Sequence, residues 1–164
     1  MTRHHHSLGR ESLIVGLIGA TVVAAWFLVI DSLNGRPLTT PSVLGQVILF
    51  GQRTPSVTPI IWPAVAAYSG LHVAAFLLFG ALVTKLVFLA DLNGIFRFAL
   101  LMLFVAFEVF FYGALVMFFQ GTSGLFPLWS ILAANTLAAL SMGGYLFRRH
   151  PALRRGFSRE PLGS

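Results

Sequence analysis

The feature that most restricts this chain is the length of its unbroken apolar runs. The stretch "LLMLFVAFEVFFYGALVMFF" (100–119) is hydrocarbon and aromatic ring throughout except for a single carboxylic acid, Glu108. A helix rising about 1.5 Å per residue crosses a hydrocarbon layer roughly 30 Å thick in about 20 residues. Three more blocks are at least that long or nearly so: "SLIVGLIGATVVAAWFLVI" (12–30), a longer run over 60–90, and "FPLWSILAANTLAALSMGGYLF" (126–147). Each is apolar on essentially every side, as expected where lipid surrounds the helix and the backbone must satisfy its own hydrogen bonds. A membrane barrel would alternate polar and apolar residues instead.

Composition agrees. Of 164 residues, 57% are apolar and only 10% charged, against about 25% charged in an ordinary soluble domain. The sequence therefore predicts an all-α integral membrane protein: a four-transmembrane-helix bundle with spans at about 12–30, 60–90, 95–119 and 126–147, an N-terminal tail (1–11) and a basic C-terminal tail (148–164). The first block is too long for a signal-peptide core and no small-x-small site follows it, so it is expected to remain as span one. Pro59 and Pro63 place the first turns of span two in the interface or tilt it, and Pro127 falls near the first turn of span four, where a missing N–H is harmless.

Basic residues give an orientation. With both termini cytoplasmic, Arg3, Arg10, Lys85, Arg97, Arg148, Arg149, Arg154, Arg155 and Arg159 lie inside, and only Arg36 and Arg53 outside, a clear positive-inside bias. Trp26, Trp62 and Trp129 all fall toward the outer ends of their spans, as an aromatic belt at one interface would. Lys85 reads as a snorkelling anchor. A cell (cytoplasmic or inner) membrane is the expected location, and the lipid bilayer the first partner. The tail "RRHPALRRGFSRE" suits anionic headgroups, and no folded aqueous domain is left to bind nucleic acid.

The outer loop "DSLNGRPLTTPSVLGQVILFGQRTPSVTP" (31–59) holds a short apolar run, "VLGQVILF" (43–50), bracketed by turn residues. Too short to span, it is expected to lie as an interfacial helix, with a re-entrant lid as the alternative. Small residues mark candidate seams: Ser12, Gly16, Ala20 and Ala24 in span one; Ala66, Gly70 and Ala74 in span two; Ala134 and Ala138 in span four, with Asn135, Ala139 and Gly143 beside them.

Polar residues placed by depth give the candidate site. His72, Glu108 and Asn135 each fall near the midpoint of a different span, with Tyr68 and Ser69 on the face of His72 and Tyr112 at i+4 from Glu108. An acid at mid-membrane costs about 2.5–3.5 kcal/mol unless neutralised or paired. Glu108 is thus expected either to be neutral and donate to Asn135 or a carbonyl, or to be ionised and paired with a charged His72 or a shared ligand. Functionally the cluster reads as a proton-handling pair or as a grip on the polar head of a quinone or lipid; structurally it reads as an interhelical network that fixes register.

Much chemistry is excluded or disfavoured. The chain has no cysteine, which removes disulfides, thiolate metal sites and cysteine nucleophiles. It carries no phosphate loop, H-E-x-x-H pair or G-x-S-x-G elbow, no internal repeat and no paired broken helices of the inverted-repeat transporters. One intramembrane histidine cannot give bis-histidine haem ligation, and His72 with Glu108 supplies too few ligands for a metal. His4, His5 and His6 lack a pre-formed pocket, and no cofactor is assigned. The eight phenylalanines between Phe96 and Phe119 are expected to pack against neighbours and lipid rather than line a ring pocket. Three functions follow, in order: a non-catalytic accessory or oligomerising membrane component, completing its packing with copies or other subunits; a small carrier or proton-coupled binder using Glu108 and His72; and a membrane enzyme acting on a lipid or quinone.

Overall fold

Helix is the regular element of the computed structural model, which describes residues 8–93, 95–118 and 126–151, with no strand among them. Five helices follow in order: α1 (Leu8–Leu33), α2 (Thr39–Ile48), α3 (Trp62–Leu92), α4 (Ile95–Phe118) and α5 (Leu128–Arg149). Among the described residues, three helices are long and apolar enough to cross a membrane, over Leu8–Leu33, Trp62–Ala90 and Leu128–Arg149. In α4 the apolar helix so described is the shorter Phe98–Val109, so three crossing-length helices stand where four were expected. His4, His5, His6 and the basic residues Arg154, Arg155 and Arg159 lie outside the described residues.

Boundaries follow local chemistry. α1 runs one turn beyond the expected span at its start because Glu11 is buried there and does not end it. α3 opens with Pro63 in its first turn, where proline loses no helical hydrogen bond, and Pro127 is the extended N-cap of α5. The helix of the first loop begins earlier than the apolar run suggested, at Thr39, and is 10 residues long, about half the thickness of a hydrocarbon core.

The α1–α3 seam is backbone against backbone. A Cβ added to Gly80 would stand 2.5 Å from the Gly16 nitrogen and 2.8 Å from the Ser12 carbonyl oxygen, distances no side chain tolerates. Ser12 and Gly16 lie on this seam, as the small-residue pattern suggested, but the small residues picked out on α3 do not. Ala66, Gly70 and Ala74 are exposed, and Gly70 has open space where a Cβ would project. The stripe that α3 turns toward α1 is His72, Phe76 and Gly80. Counting small residues missed it because one glycine at the point of closest approach is enough, and bulky groups fit on either side where the helices diverge.

α5 closes on α1 through Ala134 and Ala138, packed on Val23, and through Met142, whose sulfur would lie 2.7 Å from a Cβ on Gly19. A second cluster joins Val15, Val87, Ala90, Met142 and Leu146. At the same end, His150 Nε2 lies 3.3 Å from Glu11 Oε2 with both side chains buried, and the imidazole meets the Phe88 ring edge-on at 4.9 Å. α4 joins through Phe96 and Leu100, packed on that second cluster, through the Phe79 and Phe107 rings, 4.7 Å between centroids, and through a polar contact with α5.

Candidate functional site

α2 is held by side chains rather than by a cap of its own. Its N-cap, Leu38, has φ 67 and makes no side-chain cap bond; a left-handed residue other than glycine costs about 1–2 kcal/mol. The cap arrives from α1 instead. Asp31 Oδ2 accepts the Thr40 backbone N–H at 2.7 Å and Oδ1 accepts the Thr40 hydroxyl at 2.8 Å. A carboxylate at a helix N-terminus satisfies an otherwise orphaned donor and complements the dipole. The chain leaving α2 is fixed in the same way. Gln46, 1% exposed, donates to the Ser56 carbonyl at 2.9 Å and accepts the Ser56 N–H at 2.8 Å, while the Ser42 hydroxyl accepts the Ile61 N–H at 3.0 Å. Gly45 lets α2 lie directly on the Ala64 backbone.

The candidate residues fall into two separate groups. Asn135 Nδ2 donates to Glu108 Oε2 at 3.2 Å, joining α4 to α5. The other oxygen, Oε1, is buried with no hydrogen-bond partner among the described residues. His72 does not pair with Glu108. Its Nε2 lies 3.2 Å from the Ala20 carbonyl oxygen, which can only accept, so Nε2 carries the proton and Nδ1 is left as an acceptor. The imidazole is stacked on Tyr68, centroids 5.9 Å apart, and tilted on Phe76 at 4.8 Å. Tyr68, His72 and Asn135 line one cavity of about 50 Å³, with Phe107 in its wall, space for a few waters at most. Tyr112 is 45% exposed and joins neither group, whereas Ser69 lies on the far side of His72, in a second and larger space.

That larger space is a half-open groove of about 450 Å³ between α1, the start of α2, and α3. Thr21, Asp31, Thr40, Tyr68, Ser69 and His72 supply its polar lining, and Leu17, Leu28 and Val73 are among its apolar walls. Elsewhere between α1 and α5, Trp26 Nε1 donates to the Ser130 hydroxyl at 3.0 Å and the Trp26 ring meets Trp129 edge to face at 6.3 Å.

The sequence pointed to His72, Glu108, Asn135 and Tyr68, but not to Asp31, Thr40, Ser42 or Gln46. An Asp nine residues before a Thr in a turn-rich loop carries no periodic signal. A hint lay only in the amide and hydroxyls inside an otherwise apolar segment. Among the described residues no three His, Asp or Glu side chains gather as a metal site would need. The chain matches no family model, and no similar curated protein or solved structure is found.

Proposed function

We propose that this chain is a small, multi-pass, non-catalytic component of a cytoplasmic (plasma) membrane. In this reading four helices cross as a bundle, α4 serving as the third crossing, with both termini on the cytoplasmic side, and the buried polar groups hold helices in register. One observation carries it: the polar side chains buried among the helices reach across from one element to another. Asn135 binds Glu108, His72 binds the Ala20 carbonyl, Trp26 binds Ser130, and Asp31 binds Thr40. Such bonds are worth about 0.6–2 kcal/mol each in lipid and fix a unique arrangement. The distribution of basic residues supports the orientation. The exposed Ala66, Gly70 and Ala74 on α3 offer a face on which a second copy or another subunit can pack closely.

Glu108→Gln tests the reading. Glutamine keeps an acceptor for Asn135 but sets an NH₂ where Oε1 has no partner, so a buried donor goes unpaired, at about 1–3 kcal/mol. The expected result is lower thermal stability in detergent or weaker assembly, with no pH-driven uptake altered in proteoliposomes. A variant of unchanged stability that abolishes a proton-coupled flux would replace this function with the carrier.

A further inference from the structure

The groove between α1 and α3 is apolar along most of its length and charged at one end, and at that end an acid and a base stand together. Its volume of about 450 Å³ falls within the roughly 300–1,000 Å³ of small-molecule sites. From Leu17 to Asp31 it follows α1 for about 21 Å, more than half the thickness of a hydrocarbon core. Leu17 and Leu28, which line it, are exposed on the outside of an apolar helix, so the groove opens toward the medium that surrounds the spans. Away from Asp31 its wall holds no lysine, arginine or second carboxylate.

The charged end lies in the last turn of α1, where the apolar run gives way to the loop. Asp31 and Thr40, bonded to each other, line both the groove and a smaller cavity beside it. Arg36 is exposed and lines that smaller cavity. Its backbone N–H donates to the Asp31 carbonyl at 2.9 Å, which ties it to the same turn. Thr40 takes one acceptor site on each Asp31 oxygen; an ionised carboxylate offers about four, so about half remain.

That arrangement selects a headgroup. A purely anionic head would bring its charge up to a buried carboxylate, at a large cost. A purely cationic head would meet Asp31 with Arg36 already beside it. A zwitterionic head satisfies both, its ammonium toward the acid and its phosphate toward the guanidinium, whose planar fork suits phosphate oxygens. Of the ammonium heads, a primary one donates N–H bonds to the remaining carboxylate sites, and a quaternary one has none to donate.

We infer that this groove binds a zwitterionic aminophospholipid of the bilayer, phosphatidylethanolamine, with its ammonium at Asp31, its phosphate at Arg36 and one acyl chain along α1. This goes beyond the structural role proposed above and shares with it only the bilayer setting.

The test is native mass spectrometry of the full chain, delipidated in detergent and offered dioleoyl lipids singly. Phosphatidylethanolamine is expected to bind saturably, with phosphatidylcholine and phosphatidylglycerol of the same chains bound more weakly; this comparison probes Asp31 without disturbing the cap it gives α2. Arg36→Gln should weaken phosphatidylethanolamine binding by about 2- to 5-fold, the worth of an exposed ion pair. Ala24→Phe, which fills the groove from an exposed position on α1, should abolish it. Circular dichroism and gel filtration establish that both variants are folded. Absence of saturable binding to the folded wild type, or equal binding by wild type and the Ala24 variant, overturns the site. Phosphatidylcholine bound as tightly as phosphatidylethanolamine overturns the role of Asp31, and oleylamine competing as well as the phospholipid overturns that of Arg36. Tighter binding of phosphatidylglycerol overturns the choice of occupant in favour of an anionic lipid. Phosphoethanolamine without chains is expected not to compete; displacement by it would overturn the bilayer as the source of the ligand.

Discussion

The α1–α3 seam and the α4–α5 join hold helices together by opposite means. At the first, Gly16 and Gly80 bring two backbones into contact, and stability comes from many small dispersion contacts along the line. At the second, a hydrogen bond from Asn135 to Glu108 links the two helices. Lipid tails are as apolar as the helices, so burial of hydrocarbon cannot drive their association. What remains is close fit or polar contact. This chain uses each in a different place: fit where Gly16 meets Gly80, and a polar bond where Asn135 meets Glu108.

Substitution of two glycines on one helix probes that contrast most strongly. Gly80→Leu forces a side chain into the α1 backbone and should cost about 3 kcal/mol or more, seen as loss of monodisperse protein on gel filtration. Gly70→Leu, ten residues upstream by number but facing open space, is the paired control and belongs at the other end of the scale. Between them stands Asp31→Ala. It strips the cap from α2 and orphans a buried N–H and hydroxyl, which should cost about 2 kcal/mol. Faster amide exchange confined to α2 and to residues 49–61 would be the sign. A smaller effect, about 1 kcal/mol, is expected of Trp26→Phe, which keeps a ring near Trp129 and loses the bond to Ser130; a lowered melting temperature in detergent measures it. Smallest is the intrachain effect of Gly70→Leu, within about 0.5 kcal/mol. In the same variant, a shift from a larger species to the monomer on light scattering would support assembly through the exposed α3 face. An unchanged mass would remove that face from the oligomeric reading.

The residues that could be read in advance are those with a period or a depth. Helix positions were legible because lipid demands a minimum run of apolar residues. The contact of Glu108 with Asn135 was foreseeable because each is one of the few polar residues in the middle of its apolar segment. Of the two arrangements the sequence left open for Glu108, pairing with His72 is not the one found; His72 instead meets the Ala20 carbonyl. It faces α1 rather than α4 because the rotation of α3 is set by the Gly16–Gly80 contact two turns away. The α2 clamp was illegible for another reason. Asp31, Gln46 and Ser42 act on backbone groups of the loop, and backbone partners leave no trace in side-chain patterning.

The central claim is that polar groups inside this protein act as links between helices. A double-mutant cycle on Glu108→Leu and Asn135→Leu, with unfolding measured in mixed micelles, tests it directly. A coupling of about 0.6–2 kcal/mol is predicted. Two changes whose effects add within about 0.3 kcal/mol would contradict the account, because the acid and the amide would then be neighbours without being a link.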